Sequence, residues 1–246
     1  MELNKSEFIS ELNAIFKLNG MSSYLNAEIS EKFYTLTVRM LEENEKYNLT
    51  AIKEPGKIIL NHYLDCAMMA KYVKSGATII DVGCGAGFPT LPLALVRDDV
   101  SILAVDSTAK RVNYVKESAE LLSLSNVKCE LMRAEDGGKN VEYREKFDYA
   151  TARAVAQMQI LCELTLPFVK IGGQLIAMKG KNAEHELSGA KRAISILGGG
   201  EIVTHEISIS DGKEEELTHP IISVKKKQKT PQQYPRPYAQ ISKKPL

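Results

Sequence analysis

The most informative stretch of the chain is Asp81-Val82-Gly83-Cys84-Gly85-Ala86-Gly87-Phe88-Pro89. Just before the glycines, Thr78–Val82 is a short apolar run rich in β-branched side chains, which predicts a strand. A helix is predicted directly afterwards, over Phe88–Val96. Glycines let the backbone turn sharply and approach a ligand without a Cβ in the way. In open α/β sheets ligands bind beyond the carboxyl ends of the strands, which is where this turn would lie.

The glycine pattern restricts the kind of ligand. The dinucleotide pattern G-x-G-x-x-G is broken, because Phe88 stands where its last glycine should follow Gly83 and Gly85. A phosphate-binding P-loop is excluded, since no Gly-Lys-Ser/Thr follows. An acidic residue followed by x-G-x-G-x-G resembles the first motif of class I S-adenosylmethionine-dependent methyltransferases. A tight turn that binds another nucleotide in a Rossmann-like fold stays open as the alternative.

Strand and helix patterns alternate along the chain after this turn. Further strands are predicted at Val100–Val105, Val127–Met132, Phe147–Thr151, Gln174–Met178, Glu201–Ile209 and Ile221–Lys227. Helices are predicted between them at Lys110–Leu124, Gln157–Val169 and Ala183–Leu197. Repeated strand–helix units predict an α/β, Rossmann-like fold with a mostly parallel seven-stranded sheet covered by helices on both faces.

The two ends of the chain differ from this central part. Residues 1–74 carry apolar side chains at helical spacing, which predicts an N-terminal helical region packed on the core. One of its helices would begin at Pro55 and carry a stripe of Ile58, Ile59, Tyr63, Leu64 and Met68. Residues 75–229 form the predicted Rossmann-like domain. Residues 230–246 contain four prolines and several basic residues, and are predicted to form an irregular tail on the surface.

Composition and sequence patterns limit which partners the protein can have and where in the cell it can act. The 246 residues carry a net charge of +1, but from Leu217 onward there are seven basic residues and no acidic one, so residues 1–216 carry −6. A basic end on an acidic body weakly indicates a polyanionic partner. Without a signal peptide pattern or an apolar run near the roughly 20 residues of a membrane span, we expect a cytoplasmic protein with no membrane partner. Four widely spaced cysteines without a CxxC pair predict reduced thiols and no metal site.

Polar residues follow the ends of several predicted strands. Asp106 ends the second strand, where a carboxylate can accept hydrogen bonds from both hydroxyls of a ribose, although a helix cap is the alternative role. Arg133-Ala134-Glu135-Asp136 ends the third strand, which faces the adenine in the methyltransferase architecture. Asp148–Ala154 ends the fourth strand, beside the methyl group in that architecture. Four suitable strand ends together predict S-adenosylmethionine as the cofactor.

The end of the fourth strand also excludes some chemistries. Enzymes that methylate amino groups carry an Asn/Asp-Pro-Pro-aromatic turn here, whereas this chain has Ala152-Arg153-Ala154-Val155. Methylation of cytosine C5 needs a cysteine nucleophile, typically after proline, and the chain has no Pro-Cys pair. A ring nitrogen with a free lone pair can attack the sulfonium methyl without first losing a proton. Catalysis could then depend on positioning, with no general base.

Motifs spread over nearly the whole chain from Tyr47 resemble those of the RsmG family, also called glucose-inhibited division protein B. Besides the glycine stretch they are Tyr47-Asn48-Leu49-Thr50-Ala51-Ile52, His62-Tyr63-Leu64-Asp65, Val105-Asp106-Ser107 with Lys110-Arg111, Arg133-Ala134-Glu135, Ala152-Arg153-Ala154-Val155-Ala156, Met178-Lys179-Gly180 and Lys229-Thr230-Pro231 with Tyr234-Pro235-Arg236. The resemblance implies methyl transfer from S-adenosylmethionine to N7 of a guanine in the 530 loop of 16S rRNA. The partner would be this rRNA, free or within the small ribosomal subunit.

The resemblance also implies residue roles. The cofactor-binding residues would be Gly83, Gly85, Phe88, Asp106, Ala134, Glu135 and Arg153. Arg153 would close the site at the methionine end, and Asn48 and His62 would face the target base as further catalytic candidates. A half-buried structural role is the alternative for His62. The candidate RNA contacts are Lys110, Arg133 and Lys179 at the mouth of the site, and Lys225 from the basic end.

Two other functions stay open at this point. A small-molecule methyltransferase would share the cofactor fold, since fold does not fix the substrate. It would have a closed apolar lid, whereas an RNA enzyme needs an open basic mouth and binds with a steep salt dependence. A non-catalytic RNA-binding ribosome-assembly factor is the third possibility, against which the intact Gly83, Asp106 and Arg153 argue. We expect a monomer.

Overall fold

A seven-stranded sheet forms the centre of the molecule in the computed structural model, which describes residues 3–47, 49–180 and 182–246. Its strands are β1 Thr78–Val82, β2 Ser101–Asp106, β3 Val127–Leu131, β4 Phe147–Arg153, β5 Val169–Met178, β6 Gly199–Ser210 and β7 Glu216–Lys226. They lie in the order β3-β2-β1-β4-β5-β7-β6. Strands β1 to β5 pair in parallel, and β7 runs antiparallel to both β5 and β6. The predicted α/β fold with a mostly parallel seven-stranded sheet is confirmed.

The register of the parallel strands brings their carboxyl ends to one edge of the sheet. Val82 pairs with Val105, and Asp106, one residue further along β2, pairs with Leu131. Strand β1, in the middle, is buried from its second residue onward, as expected for a parallel strand covered by helices on both faces. Residues that follow these strands therefore meet at a single place.

Ten α-helices make up about half of the remaining described residues. In order they are α1 Lys5–Leu18, α2 Ala27–Tyr47, α3 Pro55–Ile58, α4 Asp65–Met68, α5 Thr90–Val96, α6 Ala109–Leu121, α7 Ala134–Gly137, α8 Met158–Thr165, α9 Ala183–Ile196 and α10 Tyr238–Lys243. Across the ranges that the structure describes, none of the helices has the length and apolar character to span a membrane. Helix α8 ends before the predicted Val169, because Pro167 lies in the 3₁₀ turn Leu166–Phe168 that follows it.

The N-terminal helices pack on one face of the sheet through aromatic side chains. Phe16 of α1 and Phe33 of α2 are fully buried, with ring centroids 5.8 Å apart. The ring of Phe33 in turn lies 4.8 Å from that of Tyr63, centroid to centroid. All three belong to the same buried cluster as Ile79 of β1. Burying one such side chain stabilises the fold by roughly 1.5–3 kcal/mol.

The helix predicted from Pro55 is interrupted. Helix α3 passes into a π-helical turn over Ile59–Leu64 before α4 begins. All five apolar residues of the predicted stripe are nevertheless buried. Such π turns are frequent at functional sites, because the extra residue changes where the following side chains point. This one carries His62.

The C-terminal tail differs from the predicted irregular surface segment. Thr230 and Ile241 are buried, and the short helix α10 forms. Arg144 fixes the first part of the tail, because its guanidinium donates hydrogen bonds to main-chain carbonyls both of the tail and of the residue that follows α7. The acceptors are the carbonyl oxygens of Gly138, Thr230, Pro231 and Tyr234. A guanidinium with several donors in a fixed plane suits this clamping role.

Two of the seven basic residues at the C-terminal end are used inside the protein. Lys226 is fully buried and donates to the carbonyl of Leu166 at 2.7 Å. Burial lowers the pKa of this ammonium group to about 8. The guanidinium of Arg236 pairs with the fully buried carboxylate of Glu163, with a closest N···O distance of 2.6 Å. These two charges hold the tail and are not presented to a polyanion.

Candidate active site

A cavity of about 610 Å³ lies at the carboxyl edge of the sheet. Its volume is in the range of small-molecule sites. Eight of the predicted site residues line it: Gly83, Gly85, Asp106, Lys110, Arg133, Ala134, Glu135 and Arg153. They come from the ends of β1, β2, β3 and β4 and the segments that follow them. The predicted residues Phe88, His62, Lys179 and Lys225 do not line this cavity, and Asn48 lies outside the described residues.

The glycine loop shapes one end of the cavity with its main chain. The amide of Gly83 donates to the carbonyl of Val105 at 2.8 Å, which ties the loop to β2. Gly83 has φ +77°, and a Cβ there would lie 2.9 Å from Cγ2 of Val155. Both observations require glycine at this position. The amide of Gly85 donates to Oδ2 of Asp106 at 3.2 Å.

Asp106 is fixed beside this loop. The residue is 4% exposed, and its Oδ1 accepts a hydrogen bond from the amide of Thr108 at 2.9 Å, at the start of helix α6. The guanidinium of Arg111 lies 3.5 Å from Oδ2. The carboxylate therefore orders both the glycine loop and the turn into α6 while it lines the cavity. The alternative role as a helix cap is wrong, because the N-cap residue of α6 is Thr108 and no side chain in the described ranges caps this helix. The ribose contact stays a prediction.

Asp81, the acidic residue that opens the motif, is a functional candidate that sequence reasoning did not single out. Its carboxylate is completely buried, and Oδ2 accepts a hydrogen bond from Oγ1 of Thr90 at 2.6 Å. Burial raises the pKa of the carboxyl group to about 6. Within the described part of the chain, Oδ1 has no hydrogen-bond partner. Buried acceptors are normally paired with the protein, with an ordered water or with a ligand, and Asp81 itself is not among the residues that line the cavity.

Arg153 lines the cavity at the end of β4, the strand that pairs with β1. Its Nη1 donates to the carbonyl oxygen of Asn61 at 3.0 Å and lies 3.3 Å from Oδ2 of Asp65. The guanidinium carbon also lies 5.0 Å from the ring centroid of Phe88, within the range of a cation–π contact. Phe88 thus supports Arg153 from behind, outside the cavity wall. The next residue, Ala154, has φ +56°, a rare conformation for alanine that is often found at functional sites.

His62 lies behind Arg153 and is buried. Its ring stacks on Phe88 with centroids 4.5 Å apart. Nη2 of Arg153 lies 3.3 Å from Nδ1, and because a guanidinium has only donors, Nδ1 accepts. The other ring nitrogen, Nε2, therefore carries the proton and donates to Oγ1 of Thr50 at 2.8 Å. Burial and the neighbouring Arg153 lower the pKa of His62 to about 4, so the ring is neutral at pH 7.

Asp65 and His219 complete this network, and neither was among the predicted site residues. Nε2 of His219, on β7, lies 2.5 Å from Oδ1 of Asp65. Burial alone would lower the pKa of His219, but the carboxylate of Asp65 outweighs that effect and raises it. The position of Asp65 within the motif His62-Tyr63-Leu64-Asp65 is a signal that could have found it. No comparable signal surrounds His219.

The predicted RNA contacts lie in three different settings. Lys110 and Arg133 are exposed and line the mouth of the cavity. The ammonium of Lys179 is directed inward, with Nζ 2.8 Å from the carbonyl oxygen of Ala156 and 2.6 Å from the carboxylate of Glu186. Lys225 is half-buried on β7. The structure thus brings two of these four residues to the cavity.

Cys84 lies within the glycine loop, where a reactive thiol would be conspicuous. Its side chain is buried, and burial raises the pKa of the thiol well above its usual value. A thiol in this state is a poor nucleophile, because the reactive form is the thiolate. All four cysteines are free thiols.

The strand order with an antiparallel β7, together with the glycine loop after β1, defines the fold of class I S-adenosylmethionine-dependent methyltransferases. A family model described as rRNA small subunit methyltransferase G matches residues 29–217. The chain belongs to this family, as its sequence motifs predict.

Individual relatives agree with this assignment. The chain is 44% identical over 223 residues to a ribosomal RNA small subunit methyltransferase G of Clostridium perfringens, a match that covers 90% of this chain and 92% of the relative. It is 40% identical over 252 residues to the protein of the same name from Lactobacillus acidophilus, which covers 99% of this chain and 100% of the relative.

Solved structures agree on the fold. A SAM-dependent O-methyltransferase from Thermotoga maritima superimposes with a TM-score of 0.53 at 15% identity, covering 77% of this chain and 72% of that one. M. jannaschii TYW2 in complex with AdoMet superimposes with a TM-score of 0.51 at 19% identity, covering 65% and 73%. At these identities the likeness concerns the fold alone.

Proposed function

We propose that this chain transfers a methyl group from S-adenosylmethionine to N7 of a guanine in the 530 loop of 16S rRNA. The observation that carries the proposal is the single cavity lined by residues from four neighbouring strand ends. Membership of the rRNA small subunit methyltransferase G family supports the RNA substrate. With such a substrate, the protein would act in the cytoplasm, as a monomer, on the rRNA or on the small subunit.

The residues present fit S-adenosylmethionine. The glycine loop offers close backbone approach, because a Cβ at Gly83 would already be in contact with Val155. Asp106 presents a fixed carboxylate where a ribose would be held. Ala134 and Glu135 would adjoin the adenine, and Arg153 the methionine end.

The proposed methyl transfer requires little of the protein beyond positioning the cofactor and the target base. When bound, S-adenosylmethionine supplies an electrophilic methyl group on a sulfonium centre. Guanine N7 has a free lone pair, so no proton needs to be removed before attack. The neutral His62, with both ring nitrogens engaged inside the protein, agrees with a role in orienting Arg153 rather than in accepting a proton. The buried thiol of Cys84 agrees with direct transfer that involves no covalent enzyme intermediate.

The mouth of the cavity supports a nucleic-acid substrate. Lys110 and Arg133 are exposed there, where their charges would attract phosphates. Guanine N7 is hidden in the deep, narrow groove of A-form RNA, so the target base should lie in a loop or an irregular region. The methylated guanine is cationic, which favours keeping basic side chains on the backbone rather than on the base.

The test is transfer of labelled methyl from S-adenosylmethionine to 16S rRNA from cells that lack this modification. We expect label at a single guanine of the 530 loop, located by the strand cleavage that N7-methylguanine permits. A transcript with adenine at that position is the matched control and should accept no label. Parallel reactions on free rRNA and intact small subunits identify the substrate. Absence of label in both, beside an active reference enzyme, would refute the proposal.

A further inference from the structure

The C-terminal tail brings an aromatic side chain to the wall of the cavity. Tyr238, the first residue of helix α10, lines the cavity together with Leu164 of α8 and the segment Met132–Glu135 that follows β3. The tyrosine is 45% exposed. Its place in the sequence, 85 residues after the end of β4, gives no indication of this position. The tail therefore contributes to the site as well as to the fold.

Tyr238 is held from both sides along the chain. Two residues earlier, the main-chain amide and Nε of Arg236 both donate at 2.9 Å to Oε1 of the fully buried Glu163. Glu163 immediately precedes the cavity residue Leu164, so the anchor and the wall are neighbours in α8. Three residues later, Ile241 is buried. The ring is thus placed at the cavity by a buried ion pair and an apolar contact.

Tyr238 has no polar or aromatic partner among the described residues. Within the described residues, its hydroxyl makes no hydrogen bond and its ring has no aromatic or cationic neighbour at contact distance. Aromatic side chains normally bury their faces, since burial of apolar surface is favourable. A tyrosine that is fixed at a cavity and leaves 45% of its surface exposed therefore points to a ligand group that covers it.

The surroundings indicate which ligand group this is. Leu164 and Met132 are apolar, whereas the part of the cavity wall at the end of β4 carries the guanidinium of Arg153. A flat, uncharged heteroaromatic ring suits the apolar wall better than the wall that carries this cation. Pro235, just before the anchor, also lies against Gly138 at the end of α7, where a Cβ would be 2.9 Å from its ring. The tail thus reaches the cavity on the side of Ala134 and Glu135.

We propose that Tyr238 is a cofactor-binding residue whose ring stacks on the adenine of S-adenosylmethionine. The proposal rests on the proposed function, because it assigns the adenine to the α7–α8 side of the cavity. Stacking of a base on an aromatic side chain typically changes affinity by a factor of about ten or more on alanine substitution. A ligand that lacks adenine would gain nothing from this side chain.

Binding of S-adenosylhomocysteine and of 5′-methylthioadenosine to the full chain, measured by calorimetry, tests this. We expect Tyr238→Ala to weaken both ligands by the same factor, about tenfold, since they share the adenine. Tyr238→Phe should stay within about twofold of the unchanged protein, because the hydroxyl has no role in stacking. Gln240→Ala, an exposed substitution on the same helix, is the matched control and should also stay within about twofold.

The outcomes separate this proposal from the one on which it rests. If the unchanged protein fails to bind S-adenosylhomocysteine, the proposed function fails. If it binds but Tyr238→Ala binds equally well, or loses affinity for only one of the two ligands, the stacking role is refuted and the proposed function stands. Tyr238→Leu keeps the apolar contacts of the tail, so a loss of affinity with an unchanged melting temperature supports stacking even if the alanine variant loosens the tail.

Discussion

Two neighbouring parts of the cavity wall, the glycine loop and the surroundings of Arg153, are built in different ways. In the glycine loop the main chain makes the contacts, with the amides of Gly83 and Gly85 bound to β2 and to Asp106. Around Arg153 the contacts are made mostly by side chains, from β4, from the segment that carries His62 and Asp65, and from β7. The first part is suited to holding a ligand at close range, and the second to orienting a charged group.

This difference separates affinity from rate. A loop of glycines approaches a ligand equally in the ground state and the transition state, so damage there should mainly weaken binding. A guanidinium held by a carboxylate, a carbonyl and a neutral histidine is fixed in position, so damage there should mainly misalign the reacting groups and slow the reaction. Substitutions in the two parts of the wall should therefore differ in whether they change affinity or rate.

Arg153→Ala should have the largest effect. We expect methyl transfer to rRNA to fall by about 100-fold, because the guanidinium that would hold the reacting groups in line is lost. Affinity for S-adenosylhomocysteine should fall far less, by about threefold or less, if the residue acts on rate. Steady-state methyl transfer and calorimetry measure the two effects.

Arg153→Lys is the matched control for this prediction. It keeps the charge near Asp65 but cannot reach Asn61, Asp65 and His62 together, because an ammonium lacks the planar fork of a guanidinium. Activity between that of the unchanged protein and the alanine variant is expected. Full activity of both variants would show that Arg153 has no role in methyl transfer.

His62 makes the second prediction, which concerns stability and pH. The pKa of His62 is about 4 in the folded protein and about 6.5 when unfolded. Between these values the unfolded chain binds a proton that the folded chain does not, so stability falls as the pH falls from 6.5 to 4. The loss attributable to His62 is on the order of 2–3 kcal/mol in the free energy of unfolding.

Urea unfolding at pH 7 and pH 4.5 checks this. His62→Gln should show a smaller difference between the two pH values than the unchanged protein, whatever its absolute stability. His185→Gln, an exposed substitution on α9, should leave the difference as it is. An unchanged pH dependence in His62→Gln would mean that the ring is not held neutral behind Arg153.

Gly83→Ala tests the glycine loop and should have a moderate effect on ligand affinity. The added Cβ would lie 2.9 Å from Val155 and would sit on a backbone with φ +77°. Together these destabilise the loop by about 1–2 kcal/mol. If the free loop moves to relieve this strain and must return to bind, affinity for S-adenosylhomocysteine falls by up to roughly tenfold. Gly20→Ala is the control, because Gly20 has a similar φ of +68° with nothing within 4 Å of the added Cβ. If both variants lose stability but only Gly83→Ala loses affinity, the loop acts through the cavity.

The difference between the glycine loop and the surroundings of Arg153 also explains which parts of the site can be predicted from the sequence. The glycine loop, the strand ends and Asp106 follow from local patterns, because hydrophobic periodicity and glycine spacing reflect short-range geometry. The contacts of Arg153 with Asp65 and His62 join residues 88 and 91 positions apart, and no local pattern encodes such pairing. The π turn that carries His62 is equally invisible, since its apolar spacing looks helical.

The surroundings of individual charged residues could not be predicted from the sequence either. Lys179 and Lys226 are indistinguishable from surface lysines in the sequence, yet the first pairs with Glu186 and the second is fully buried. Burial of an ammonium is possible only where the tertiary structure supplies acceptors, such as the carbonyl of Leu166. The tail was predicted as irregular for the same reason, because the anchor between Arg236 and Glu163 exists only once α8 is folded.

The smallest expected effect concerns the approach of RNA to the glycine-loop end. Lys110→Ala should weaken binding of rRNA by a few-fold and reduce the slope of log affinity against log salt concentration by about 1, as expected for the loss of one phosphate contact. Lys225→Ala, on β7 away from the cavity, tests whether the RNA also extends over the last strand. Lys17→Ala, an exposed substitution on α1 with the same change in charge, is the control. Binding over a series of salt concentrations measures all three.

A loss with Lys110→Ala alone would place the RNA at the mouth between Lys110 and Arg133. An equal, small loss with all three would mean that only the net charge matters and that the cavity mouth does not guide the RNA.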